Sequence, residues 1–180
     1  MPPGSVSALR GAWATAGCPT PDELVGDWKA GFVRPLTHVA PVGLGLVGLP
    51  RWHGKRFRGT PTGVEGMNLV RAGGFGGVVE TLPMTLRVGP SYADGGPAVV
   101  VTYRPDGPRP WRWVRDELRE LEPGVLVGLT FVDLGPLRRL AGTPFLLSAD
   151  DGASEDGDRS ASGAAERASS SEPPSRRPRA

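Results

Sequence analysis

Residues 51–57, RWHGKRF, set Arg51, His53, Lys55 and Arg56 among Trp52, Gly54 and Phe57. Cations interleaved with aromatic rings suit an anion-binding loop, or one strand of a barrel whose basic residues merely show at its surface. The phosphate-loop reading fails on spacing. Gly54-Lys55-Arg56 lies one residue too far from Gly48, and Arg56 stands where a magnesium-binding Ser or Thr belongs. GLGLVG at 43–48 matches G-x-G-x-x-G, yet Pro50 follows where a helix N-terminus must aim its amides at a pyrophosphate. GPSYA at 89–93 half resembles a nucleophile elbow, but His38 and His53 both precede it and that fold needs its His afterwards. The single Cys18 excludes an intramolecular disulfide and any Cys-pair metal site. A haem-binding barrel would need His38 or His53 turned into its cavity. No metal and no cofactor is implied.

The 180 residues suffice for one domain of ordinary size. From Asp150 onward the chain contains no Val, Ile, Leu, Met or aromatic residue and is rich in Ser, Gly and Ala. Such a segment cannot offset its ordering entropy by burial, so residues 150–180 are expected to form a disordered tail. Residues 1–19 are expected to be a flexible N-terminal segment, which leaves 20–149 for the core. Residues 1–149 carry 16 Lys and Arg against 12 Asp and Glu. That excess is too mild for a nucleic-acid footprint. The longest apolar run, VAPVGLGLVGL at 39–49, is too short to span a membrane and contains Pro41. A soluble, cytoplasmic protein is expected, with its oligomeric state open.

Thr20, Pro21 and Glu23 form a capping-box pattern for a short helix that Gly26 ends. Strands are expected over 27–34, 51–59, 64–71, 75–88, 98–104, 111–121, 125–132 and 144–149. In the fourth, Leu82, Met84, Leu86 and Val88 alternate with Thr81, Pro83, Thr85 and Arg87, the period of a strand with one buried face. Pro83 lacks a ladder donor, so an edge or a bulge is expected there. Residues 111–121 also carry helix formers, with Val114, Leu118 and Leu121 at helical spacing. The tight turn at Pro123-Gly124, leading into VLVGLTFV, favours a hairpin and hence a strand. Eight short strands punctuated by Gly and Pro indicate an all-β, antiparallel sandwich or barrel.

Alternation places Trp28, Ala30 and Phe32 on one face of the first strand. In the second, Trp52, Gly54, Arg56 and Arg58 share one face, and His53, Lys55 and Phe57 the other. If Trp52 faces inward, Arg56 follows, and a buried guanidinium needs a carboxylate, water or a ligand anion. Glu80 and Glu117 are the inward candidates. They serve equally for a structural ion pair or for a cavity in which Arg56 orients an acidic or carbonyl-bearing ligand. Gly54 and Ala30 leave room for such a cavity, or for two backbones to cross.

GDWKAGF at 26–32, followed by WHGKRF at 52–57, resembles the bacterial GXWXG proteins, with Ala30 at the second glycine position and Gly31 beside it. MTLRV, VVVTYR, VRDELR, Gly128 and the final PFLLS extend the resemblance over most of residues 20–149. It implies a lipocalin-like barrel of about eight strands and no particular activity. The expected function is therefore binding of a small, largely apolar ligand, with an acidic group as one option. Wall candidates are Trp28, Trp52, Met84, Trp111 and Trp113, alongside Arg56, Glu80 and Glu117; Trp28 serves equally as a plug at the closed end. The rival is a lipocalin-like isomerase, cyclase or hydratase using Glu80, Glu117 or Asp116 as general acid or base. Because the tail lacks core-forming side chains, a chain ending at Asp150 should keep the full thermal midpoint. A fall of several degrees in a melting scan would show the tail docked.

Overall fold

The computed structural model describes residues 5–32, 49–73, 77–133 and 142–150. Residues 151–180 of the expected disordered tail, GLGLVG and His38 lie outside them; Asp150 lies within, its amide donating to the Asp27 carbonyl at 2.8 Å. Eight strands appear in the described residues: β1 Gly26–Gly31, β2 Trp52–Thr60, β3 Gly63–Arg71, β4 Val78–Pro90, β5 Pro97–Tyr103, β6 Val114–Glu122, β7 Val125–Val132 and β8 Thr143–Ala149. Each pairs antiparallel with its sequence neighbours, and β1 also pairs with β8, so the sheet closes into an up-and-down barrel. Closure removes the unpaired edges that an open sheet of this composition would expose.

A short turn of 3₁₀ helix, Pro21–Leu24, leads into β1. The Glu23 carboxylate accepts from the Thr20 amide at 2.7 Å and from Thr20 Oγ1 at 2.9 Å, which holds the turn as the capping-box pattern predicts. Leu24 is buried, and Trp28 Nε1 donates to its carbonyl at 2.8 Å. This turn lies against β3 and β4 and stops one end of the barrel. Trp28 is thus a plug residue of the core, shared with Phe57, Val64, Leu86 and Leu118.

Pro83 sits in a bulge, as expected. Thr81 pairs with Asn68 and Met84 with Gly66, so Leu82 and Pro83 together oppose Met67. Leu82 there takes a φ of 53°, a left-handed conformation that an extended strand does not use. The period-two face survives only in part. Met84 and Leu86 are buried and Val88 is exposed.

Two expectations are corrected. Residues 1–19 are not loose throughout. Val6–Trp13 form a helix, α1, capped by Ser5 Oγ, which accepts from the Ala8 amide at 3.2 Å. Leu9 and Trp13 are buried in a second apolar cluster with Ala98, Val127, Leu129, Phe131 and Leu146, the outward side chains of β5, β7 and β8. The signal is visible in hindsight: an apolar residue at 9 and another at 13 fall one helical turn apart. Residues 111–121 are not strand throughout either. Trp111–Trp113 form a 3₁₀ turn, and the strand begins only at Val114.

Because Trp13 is 3% exposed, Trp13→Ala should cost about 3–5 kcal/mol in urea denaturation, the scale of a large core truncation. A change below 0.5 kcal/mol, typical of a surface site, would mean that α1 does not dock.

Candidate ligand-binding site

One extra residue in β2 decides which side chains enter the barrel. Trp52 pairs with Val70 and Gly54 with Leu69, so two steps along β2 match one step along β3 and His53 is the inserted residue. A bulge of this kind reverses the inside-outside parity of everything beyond it. Trp52 points inward, and so does Lys55, three residues on, instead of Arg56. Gly54 sits where β1 passes closest. A Cβ there would lie 1.8 Å from the Trp28 carbonyl oxygen, so the missing side chain serves the crossing of two backbones and opens no cavity.

Lys55 is 1% exposed, and its ammonium is fully engaged. Nζ donates to Asp116 Oδ2 at 2.9 Å, to the Tyr103 hydroxyl at 2.9 Å and to Asn68 Oδ1 at 3.1 Å, which uses all three hydrogens. The Tyr103 hydroxyl donates onward to Asp116 Oδ2 at 3.0 Å and accepts from Asn68 Nδ2 at 3.3 Å. Thr130 Oγ1 donates to Asp116 Oδ1 at 2.7 Å, and Trp52 Nε1 to Asn68 Oδ1 at 3.1 Å. Burial alone would push the Lys55 pKa down. The Asp116 carboxylate and the Tyr103 hydroxyl outweigh it and hold that pKa above the ordinary lysine value. Burial, reinforced by Asp116, pushes the Tyr103 phenol up to about 12. Lysine is therefore a fixed cation here and tyrosine a fixed neutral donor. Neither is poised as a nucleophile or base near neutral pH.

Above this network lies a cavity of about 360 Å³. Its walls are Phe32 and Leu49 at the β1 and β2 ends, Pro110, Trp111 and Val114 before and at the start of β6, and Val132, Thr143 and Phe145 from β7 and β8. Lys55, Asn68, Tyr103, Asp116 and Thr130 form its polar floor, with Trp52 beside them. In an up-and-down barrel those wall segments belong to one end, opposite the 3₁₀ turn and Trp28. The rings are mutually braced. Trp52 packs at 5.6 Å from both Phe32 and Phe145, and Tyr103 at 5.3 Å from Trp111. Phe145 lies flat over Gly128 of β7, where any Cβ would come within 2.1 Å of the ring.

Of the sequence candidates, Trp52 and Trp111 line the cavity. Trp28 closes the opposite end. Met84 is inside the barrel, its Sδ 3.9 Å from Lys55 Nζ, but off the cavity wall. Trp113 stacks outside with Arg109 and Arg112, since the 3₁₀ turn sends it opposite to Trp111. Arg56 faces outward because of the bulge at His53, and Glu80 because of the bulge at Leu82 and Pro83. Arg56 pairs with Asp27 and with Glu80, the latter at 2.7 Å, and Glu80 is shared with Arg58. Glu117 is fully buried but on the outer side of β6. It accepts from Ser91 Oγ at 2.6 Å, the Tyr92 amide at 2.8 Å and Arg115 Nε at 2.7 Å. Of the three carboxylates proposed for acid-base work, Asp116 alone reaches the cavity. His53 is not among the residues that line it. Lys55, Asn68, Tyr103 and Thr130 were missed. Asp116 carried a signal: it falls at even spacing between Val114 and Leu118, an inward position that demands a buried cation.

No family model and no curated protein matches the chain. Its fold recurs in the crystal structure of a protein from Thermomonospora curvata, with a TM-score of 0.60 and 17% identity over 81% of this chain and 88% of that one. At that identity the likeness concerns the fold alone. No helix among the described residues is long and apolar enough to cross a membrane.

The outer ion network has a pH signature. Hydrogen bonds from Arg58 and Arg56 hold the Glu80 carboxyl down at about 2, below its ordinary value of 4.5. A depressed carboxyl stabilises the fold above its unfolded pKa, and that contribution disappears as pH falls through the folded one. Glu80→Gln should therefore cost on the order of 1 kcal/mol at neutral pH, screened as surface pairs are. The difference from the parent should shrink between about pH 4.5 and pH 2 in denaturant titrations. A pH-independent difference would exclude the ion network as its source.

Proposed function

We propose that this barrel binds a small, largely apolar ligand in the cavity above Lys55. The observation that carries the reading is the cavity itself: about 360 Å³, walled by braced aromatic and aliphatic side chains and floored by a few converging polar groups. That size lies at the small end of ligand pockets and matches their usual lining. Displacing water from such walls is favourable by roughly 25 cal/mol per Å² of apolar surface. The braced rings keep their positions when the site fills, which limits the ordering cost of binding. The resemblance of residues 26–32 and 52–57 to the GXWXG proteins belongs to the same reading, since it implies a lipocalin-like container.

Binding is favoured over catalysis by the state of the polar floor. A lysine held charged with all its hydrogens engaged is a poor covalent catalyst, since an amine must be deprotonated to attack. The Tyr103 proton is committed to Asp116 and not to the cavity.

Bromooctanol, a heavy-atom quencher with an apolar chain, should quench tryptophan emission saturably, because Trp52 and Trp111 line the site. Val114→Phe places extra bulk in the open space and should weaken that binding by about tenfold or more, which is 1.4 kcal/mol or above. Its unfolding midpoint should not fall. Unchanged affinity in a folded Val114→Phe protein would put the probe elsewhere.

A further inference from the structure

The polar floor also limits what the far end of the ligand can be. Resting on the binding reading above, we infer that the site selects an electrically neutral ligand carrying a hydroxyl-like group, and rejects carboxylates and ammonium ions of the same skeleton.

The charge balance comes first. Among the described residues that line the cavity, Lys55 and Asp116 are the charged ones, and they are paired at 2.9 Å. Their side chains are 1% and 5% exposed, so water does not screen them from the site. A third full charge entering this space would lose its hydration and meet a partner of opposite sign already engaged. A carboxylate would approach Lys55 only against the repulsion of Asp116, and an ammonium would meet Asp116 only against Lys55.

The hydrogen-bond inventory comes second. Lys55 has no hydrogen left, and the Tyr103 hydrogen is committed. What remains is one hydrogen on Asn68 Nδ2, lone pairs on Thr130 Oγ1, and the second lone pair of Asp116 Oδ1. That set offers one donor, from β3, and acceptors, from β6 and β7, on the same polar floor. A hydroxyl, which both donates and accepts, satisfies it. A carboxylate, which only accepts, leaves the acceptors facing its own negative charge.

The test uses octanol, octanoate and octylammonium, identical in chain and different in charge, titrated calorimetrically into the full chain at neutral pH. Octanol should bind at least about tenfold more tightly than either ion, the scale expected for bringing an unpaired charge into a dry site. Desolvation by an apolar cavity alone would produce the same order, so two variants separate the causes. Asp116→Asn frees Lys55 to meet an anion, and octanoate should become the tightest of the three. Lys55→Met leaves the Asp116 charge, and octylammonium should gain instead. If octanol remains the tightest in both folded variants, the pair does not set the preference and the inference falls. Octanoate binding the parent as well as octanol overturns it without any variant, so a misfolded substitution does not protect it. Failure of all three probes to bind would overturn the cavity reading itself and this inference with it.

Discussion

The ion pair between Lys55 and Asp116 organises the interior. Taking an ammonium and a carboxylate out of water costs several kcal/mol for each ion, and their attraction offsets this only when the remaining hydrogen-bonding positions are also filled. Here Asn68, Tyr103 and Thr130 fill all of them but one lone pair of Asp116 Oδ1. Those partners come from different strands. Lys55 is on β2, Asn68 on β3, Tyr103 on β5, Asp116 on β6 and Thr130 on β7, so the pair joins five of the eight staves across the lumen. It also divides the lumen. On the side of Trp28 the space is packed with side chains; on the other it stays open.

The exterior is organised around the same strands but by different means. Outward residues of β5 to β8 are covered by α1 and by the turn that follows β4, which explains the buried Glu117 and Arg119 on the outer side of β6. Arg119 donates to the Trp13 carbonyl at 2.8 Å and to Asp94, also at 2.8 Å, and its guanidinium lies 4.5 Å over the Trp13 ring. One side chain therefore ties the helix, the turn and the strand together. Around β1, β2 and β4 the outer surface instead carries the Asp27, Arg56, Glu80 and Arg58 network. The barrel wall is thus backed by a second layer on one flank and open to solvent on the other.

This asymmetry explains what could be read from the sequence. Strand positions and the antiparallel architecture were legible, because turns rich in Gly and Pro mark each strand end, residues 27–32 alternate cleanly, and the tight turn at Pro123-Gly124 leads into the apolar run 125–132. Trp28 and its capping turn were legible for the same reason. The site was legible only in part. Trp52 and Trp111 were found by residue type. Lys55 was hidden by a single inserted residue, since alternation counted from Trp52 turns it outward and brings Arg56 in. No local signal marks His53 as the insertion; the register follows from Val70 and Leu69 on β3, a pairing that the chain specifies only once folded. Glu117 misled for a different reason. It lies on the face opposite the lumen, yet it is buried, because the turn after β4 covers it with Ser91 and Tyr92.

The order of strands around the barrel bears on how the protein is made. Seven of the pairings join neighbours in sequence, and each hairpin can form as soon as its second strand is available. The β1–β8 seam is different, since Trp28 pairs with Ala149 and Ala30 with Leu147. The helix α1 and the Gly17–Glu120 bridge likewise wait for β6 to β8. A ribosome delivering about 5–20 residues per second therefore holds the nascent sheet open for several seconds, with β1 an unpaired edge and the outer apolar strip of β5 and β7 bare. During that interval the bare edge and strip are open to pairing with other chains, and only the emergence of residues 143–149 closes the sheet.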